Sequence, residues 1–393
     1  MRQMNRDAVI VSAVRTAIGR QGGALASVPA HVFGAEVIKE AMNRVNVTPD
    51  MVEDVIMGNV LSGGGNIARL TALQTGLSKE LPGLTVDRQC GSGINAVILA
   101  AQSIRSGDGD VYIAGGVESM SRAPYLMDRA EKPYSPALPK FRKSQLSPKE
   151  IGDPPMGITA ENLVKKYKIN RMEQDEFALR SQQRMARAME EGRFDEQIVP
   201  IEIPVKKGNP IKFMVDEHPR LNSTIEGLTK LPAAFLEGGS VTAGNSSGLN
   251  DAASALVIMS REKAVQLGLT PLAVIRESAV AGVDPTIMGI GPVPATRKVL
   301  EKSGLTLKDI DLIELNEAFA AQVIACDREL NMDPEKLNVN GGAIAHGHPL
   351  GATGAILLTK AVYELKRTNG RYALITACIG GGQGIAVIIE RNN

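Results

Sequence analysis

The chain repeats itself, and the repeat restricts its fold more than any single motif does. Val111-Tyr112-Ile113-Ala114 is answered by Tyr372-Ala373-Leu374-Ile375, and Val55-Ile56-Met57-Gly58-Asn59 by Leu312-Ile313-Glu314-Leu315-Asn316, at an offset of about 260 residues. An apolar helix entered from glycine over Gly91 to Ile104 has its counterpart in Gly351 to Leu365, and Gly380-Gly381-Gly382 are expected to answer Gly115-Gly116. Two βα-rich halves with one element order form an internal duplication. Apolar strands set between helices predict mixed sheets covered on both faces. Reactive groups on the loops of both halves then meet at the joint, where pockets tend to lie.

A chain of 393 residues exceeds one ordinary core. Residues 1–120 with 249–272 are expected to form one sheet domain and 273–393 the other. The stretch 121–248 differs in character, with prolines at 124, 133, 136, 139, 148, 154 and 155 and no alternating strand pattern. It reads as an inserted loop domain that lies over the sheets and supplies substrate contacts. Helices are expected there over 159–167 and 173–190. The small polar run Val241 to Asn250 closes the insertion, and Asp251 to Met259 is expected to be helical.

Aromatic residues make up only 3% and Trp is absent, so the core must be aliphatic, with backbones packed closely. A net charge of +1 gives no support for nucleic-acid binding, although 44 basic residues leave room for a local groove for an anionic cofactor. Cys90, Cys326 and Cys378 are too far apart for a disulfide framework or a zinc spacing, which points to a reducing compartment. Asp7 to Ala13, followed by Arg15-Thr16, reads as a first strand rather than a signal peptide. No stretch approaches the ~20 apolar residues of a membrane span. A soluble, cytoplasmic protein is expected.

Two stretches carry chemistry. In Asp87-Arg88-Gln89-Cys90-Gly91-Ser92-Gly93 a cysteine stands where a strand turns into a helix, so free N–H groups and the helix dipole are expected to favour its thiolate. In Gly341-Gly342-Ala343-Ile344-Ala345-His346-Gly347-His348-Pro349 and Cys378-Ile379-Gly380-Gly381-Gly382, two of the four histidines and one of the three cysteines fall among six glycines. Glycine at that density is tolerated mainly where backbone must approach something closely. His218, in a charged loop, and Cys326, in an apolar helix, carry no such context.

These motifs, together with Gly115-Gly116-Val117-Glu118-Ser119-Met120, Gly244 to Asn250, Asn316-Glu317-Ala318-Phe319 and Gly342 to Gly351, stand in the order found in the thiolases, the acetyl-CoA acyltransferases. The chain resembles that family over essentially its whole length. The resemblance implies a thiolase-like α/β fold, a duplicated αβαβα five-layer core with an inserted loop domain, assembled as a homotetramer or homodimer. It implies Cys90 as the nucleophile that carries the acyl group, and His348 as the group that takes its proton and then helps hold a thioester oxygen. Cys378 becomes the acid/base at the methyl carbon of acetyl-CoA. Asn316 positions a water in one oxyanion hole with His348, and the N–H groups of Cys90 and Gly380 form the other. Ser247 faces the pantetheine arm of coenzyme A, and Met156, Phe235, Met288, Ala318 and Phe319 line its channel; Met288 reads equally well as core. Coenzyme A and acetyl-CoA enter as substrates, with no metal and no tightly bound cofactor. These roles match general needs: a soft nucleophile with a base beside it, a second base for a weak carbon acid, and donors aimed at each developing oxyanion.

Pro155 departs from the histidine that short-chain biosynthetic relatives commonly carry before Met-Gly-x-Thr-Ala-Glu, which favours a longer apolar acyl tail. Gly91-Ser92-Gly93 agrees with the acetoacetyl-CoA enzymes. His346 replaces a commonly aliphatic residue and is expected at the surface or behind the site. The leading expectation is an enzyme that condenses two acetyl-CoA to acetoacetyl-CoA and CoA, reversibly. The alternatives are a degradative 3-ketoacyl-CoA thiolase for longer chains and a catalytically silent acyl-CoA binder on the same fold. A ketoacyl-synthase type pairs its cysteine with two histidines, and Cys378 argues against it.

Overall fold

The computed structural model describes residues 6–62, 64–130, 132, 134 and 139–391; Pro133 and Pro136 of the proline-rich stretch lie outside the described residues. The first half contributes strands β1 (Ala8–Thr16), β2 (Asp54–Gly58), β3 (Gly83–Val86), β4 (Val111–Ser119) and β5 (Asn250–Ser260). Its main helices are α1 (Ala30–Asn43), α2 (Ile67–Gln74) and α3 (Ser92–Ser106). The connecting stretch carries α4 (Met156–Tyr167) and α5 (Arg171–Glu190). The second half contributes β6 (Ala273–Gly282), β7 (Leu312–Leu315), β8 (Tyr372–Ile379) and β9 (Gln383–Glu390), with α6 (Pro292–Ser303), α7 (Ala320–Leu330) and α8 (Leu350–Thr368).

Strands are hydrogen-bonded in the order β7-β8-β9-β6-β1-β5-β4-β2-β3. The duplication is visible in the pairing. β5 runs antiparallel to β1 and β4, and β4 parallel to β2; β9 runs antiparallel to β6 and β8, and β8 parallel to β7. A short β1–β6 ladder, Val9 to Val274 and Ile10 to Ala273, joins the halves.

Three apolar clusters define five layers. One fills the space between α1, α2 and the outer face of the first half-sheet, through Phe33, Val37, Ile38, Val55 and Ile113. A second lies between the two half-sheets, around α3 and α8, through Ile94, Val97, Leu357, Ala361 and Ile375. The third covers the far side of the second half-sheet with α6 and α7, and draws in Leu163 and Phe177 from α4 and α5. The low aromatic content finds its use in the middle layer. A Cβ at Gly93 would stand 2.6 Å from the backbone nitrogen of Ala355, and one at Gly354 would stand 2.4 Å from that of Ile94. The N-terminal turns of α3 and α8 therefore touch backbone to backbone. That contact brings the residues just before each helix, Cys90 and His348, to the same end of the layer.

Two expectations are corrected. Residues 251–259 form strand β5, not a helix, between β1 and β4, and every residue of Asn250–Ser260 is buried. Alanine, leucine and methionine there satisfy a helix pattern, but a short run buried on both faces carries no period that separates strand from helix. Gly115-Gly116 do not correspond to Gly380-Gly381-Gly382. They lie inside β4, where a Cβ at Gly116 would meet the Gly351 carbonyl oxygen at 2.1 Å, whereas Gly381 and Gly382, at φ +85° and +84°, turn β8 into β9. Counting from the strand starts, the residues that answer Gly115 and Gly116 are Thr376 and Ala377.

The connecting stretch is tied to the first strand by a buried ion pair. Arg15 reaches both carboxylate oxygens of Asp216, at 2.8 and 3.0 Å, and donates to Gln197.

Candidate active site

Cys90 sits on a tight turn between β3 and α3. Gln89 before it has φ +45°, an uncommon value for a residue other than glycine. The turn is held locally: Gln89 N–H donates to Asp87 at 2.8 Å, the Ser92 hydroxyl donates to the Gln89 carbonyl at 2.6 Å, and Arg88 N–H donates to Ser92 at 2.8 Å. The backbone N–H groups of Cys90 itself and of Gly380 lie at the thiol and favour its ionised form. Desolvation outweighs them and pushes the thiol up to about 11. The expectation of a thiolate stabilised by the helix start is thereby corrected: the resting group is a thiol and needs a base.

Cys378, near the end of β8, is fully buried, and its thiol is pushed well above the ordinary range by desolvation, then by the charge of Cys90. It belongs to an apolar cluster with Met288, Ala318 and Phe319, against which Met156 packs. Phe235 meets Phe319 edge to face at 6.0 Å, and the Ser247 N–H donates to the Ala318 carbonyl at 3.0 Å. Five of the six side chains expected along the cofactor channel, those of Met156, Phe235, Met288, Ala318 and Phe319, thus gather on one wall with Cys378, and the Ser247 backbone is tied to it. Gly380 connects this wall to Cys90: a Cβ placed there would lie 3.8 Å from the Met156 sulfur and 3.9 Å from Cγ of Gln89.

His348 is held from several sides. Its N–H donates to the Asn250 side chain at 3.0 Å, and Gly347 before it, at φ +98°, lies so close to Asn250 that a Cβ would stand 2.2 Å from Cγ. Glu118 accepts from Gly351 N–H at 3.0 Å and so clamps the start of α8 to β4. Nε2 of His348 lies 3.4 Å from Nδ2 of Asn316, and Nδ1 lies 2.7 Å from the Thr353 hydroxyl. Burial pushes the imidazole down to about 4, so it is neutral near pH 7. Asn316 Oδ1 is buried and has no hydrogen-bond partner among the described residues, an acceptor that suits a donor from water or substrate. Next to it, Glu317 accepts from Ser181, Asn338 and Ile344 N–H, which locks the Asn316 loop to α5.

Nothing in the sequence singles out Thr353 or Leu146. Thr353 stands one turn into α8, and only its spacing from His348 could have marked it. Leu146 comes from the proline-rich stretch and lies over the glycine turn, its Cδ1 3.0 Å from a Cβ at Gly380. His218 is half-buried in its loop, its ring against Gly248 and its Nδ1 without a partner among the described residues. Cys326 is a core thiol, as expected.

His346 is not at the surface; it is 2% exposed, with Nδ1 donating to the Gly347 carbonyl at 2.9 Å and Nε2 unpaired. Desolvation holds its pKa well below the ordinary value, and the cations Lys360 and Arg15 add to this, with a smaller contribution from His218. The unfolded chain therefore takes up this proton first as the pH falls through about 6.5, so folding stability drops below that pH, by at most about 1.4 kcal/mol per pH unit for this group. His346→Leu is expected to flatten the loss of thermal stability between pH 7 and 5 while leaving the melting temperature near pH 8 little changed. Calorimetry across that range checks it; an unchanged slope contradicts it.

Residues 8–262 match the family model described as thiolase, N-terminal domain, and residues 269–391 match that for thiolase, C-terminal domain. The chain belongs to the thiolase family. It is 47% identical to an acetyl-CoA acetyltransferase of Cupriavidus necator, over 98% of this chain and 99% of that protein. Its fold superposes on the crystal structure of the Bacillus anthracis acetyl-CoA acetyltransferase with a TM-score of 0.95 at 45% identity, covering 99% of this chain and all of that one. Human mitochondrial 3-ketoacyl-CoA thiolase gives 0.93 at 44% identity, with the same coverage. Among the described residues there is no group of three or more His, Cys, Asp or Glu placed to hold a metal, and no helix long and apolar enough to cross a membrane.

Proposed function

We propose that this enzyme is an acetyl-CoA C-acetyltransferase that joins two acetyl-CoA into acetoacetyl-CoA and CoA, reversibly, through an acyl group on Cys90. The observation that carries the reading is the joint setting of two thiols and one neutral imidazole: Cys90 under the N–H groups of Cys90 and Gly380, Cys378 beside it, and His348 paired with Asn316.

His348 takes the Cys90 proton as the sulfur attacks the thioester carbonyl, and the two N–H groups receive the oxyanion. The C–S bond to CoA breaks, and the departing thiolate takes a proton from Cys378. This leaves acetyl-Cys90, an imidazolium at His348 and a thiolate at Cys378. That thiolate, desolvated and hence strongly basic, removes a methyl proton from the second acetyl-CoA. The enolate oxygen is held by His348 and by a water on Asn316, whose unpaired Oδ1 suits that role. Attack on acetyl-Cys90 forms the C–C bond and releases the Cys90 sulfur, which recovers its proton from His348. Every group ends as it began.

We assign part of coenzyme A to an open cavity of about 350 Å³ that runs to Gly248, with Arg220, Ser223 and Thr224 for its phosphates and Leu228 and Leu231 for apolar contact. From there the pantetheine arm passes Ser247 and the Phe235–Phe319 wall to Cys378.

A second reading, a thiolase for longer 3-ketoacyl-CoA, is favoured by Pro155, which caps α4 where an imidazole would make the acyl pocket polar. Purified enzyme with CoA, given acetoacetyl-CoA or a 3-ketoacyl-CoA with a long alkyl tail, separates the two. Cleavage of the short substrate alone supports the acetyltransferase. Strong turnover of the long one supports the second reading, and no turnover of either overturns both.

A homotetramer or homodimer in the cytoplasm completes the proposal. The edge strand β3 exposes Leu84, with Leu70 and Leu73 of α2 exposed in the same part of the chain, which supports contact between copies, and three free cysteines suit a reducing compartment. Sedimentation velocity reads the assembly directly.

A further inference from the structure

We infer that Thr353 is a positioning residue that fixes His348 in the Nδ1–H tautomer, leaving Nε2 beside Asn316 as a bare proton acceptor. The inference rests on the reading of His348 as the base for Cys90. A threonine hydroxyl has one hydrogen to give. In Thr353 that hydrogen goes to the Pro349 carbonyl at 3.0 Å, the residue four positions back on the same helix. The lone pairs of Oγ1 are what remain for His348, 2.7 Å away, so Nδ1 must be the donor. Asn316 agrees from the other side, because its amide nitrogen faces Nε2 and a second N–H there would set donor against donor.

A buried neutral imidazole carries one N–H, and the hydrogen bond made by one nitrogen decides what the other can do. With the proton on Nε2, His348 would present a donor where the Cys90 proton has to arrive. Thr353 prevents this, and its hydroxyl still accepts from Nδ1–H after Nε2 is protonated, so the ring keeps its orientation through the step. Asn250 holds the backbone of His348 and Thr353 holds its ring; both partners are buried, and among the described residues no other side chain is hydrogen-bonded to Nδ1.

Thr353→Val preserves the shape and removes the hydroxyl, and Thr353→Ser keeps the hydroxyl and removes the methyl. In acetoacetyl-CoA thiolysis the valine variant is expected to lose about 10- to 100-fold in kcat with KM for CoA little changed, short of the ~10⁴ that a misplaced tautomer costs a serine-protease triad. The serine variant is expected to stay within about 3-fold of the parent. The rate at which iodoacetamide alkylates Cys90 gives a second readout. The valine variant is expected to be slow at neutral pH, with the gap closing as the pH approaches the thiol's own ionisation, where no base is needed. Thr353→Ala adds no bulk and serves if the valine variant does not fold. A serine variant as slow as valine would make the role one of packing and overturn the inference, as would a valine or alanine variant with the parent's kcat and alkylation profile. Full turnover by His348→Asn would instead overturn the base assignment, a distinct failure.

Discussion

Replacing Cys90 with alanine is expected to abolish both thiolysis and condensation, a loss on the order of 10⁴-fold or more, with the fold intact. The size follows from chemistry that has no substitute. The other two cysteines cannot take over: Cys326 lies inside α7 with its sulfur donating to the Gly289 carbonyl at 3.2 Å, and Cys378 lacks the paired N–H groups that stand at Cys90. Removing one sulfur from a half-buried turn leaves a small void and costs little stability beside its effect on rate. Turnover of acetoacetyl-CoA with CoA, measured beside a thermal melt, separates these effects. An alanine variant within tenfold of the parent contradicts the covalent route.

Cys378→Ala is expected to divide the reaction. Carbon–carbon bond formation and cleavage need a base at the methyl carbon, and losing it costs about 10² to 10⁴-fold. Acetylation of Cys90 involves no carbon acid, and where Cys378 is missing His348 can return its proton to the departing CoA in its place. Exchange of labelled CoA with acetyl-CoA is therefore expected to survive in Cys378→Ala and to vanish in Cys90→Ala. Equal loss of exchange and condensation in Cys378→Ala would mean that His348 cannot stand in for Cys378 as the acid for the departing CoA, and would contradict this expectation.

The sequence marks the site more fully than the fold around it. Cys90, His348, Asn316 and Cys378, the residues proposed for the chemistry, each stand beside glycine or at the end of a strand, and bare backbone of that kind leaves a local signature. The duplication also shows in sequence, since buried strands and helices of the same order must repeat the same apolar runs. Strand β5 escaped because a central strand covered on both faces shows an unbroken apolar run, and its alanines suit either element. The resting state of Cys90 escaped for a different reason. The helix start that favours its charge is local, but the desolvation that opposes it comes from residues distant in sequence. Leu146, brought over Gly380 by an irregular stretch, had no periodicity to announce it. His346 reads as a polar residue in a glycine loop, and its burial depends on elements far along the chain. Thr353 belongs with these, because its meaning lies in the lone pairs left over once its hydroxyl donates to the Pro349 carbonyl.

The most direct test is intact-protein and peptide mass spectrometry after brief incubation with acetyl-CoA alone. One acetyl group is predicted on the peptide that carries Cys90, in the parent and in Cys378→Ala, discharged by added CoA and absent from Cys90→Ala. Turnover without that adduct, or an acetyl group on another residue that CoA discharges at the rate of turnover, would contradict the account.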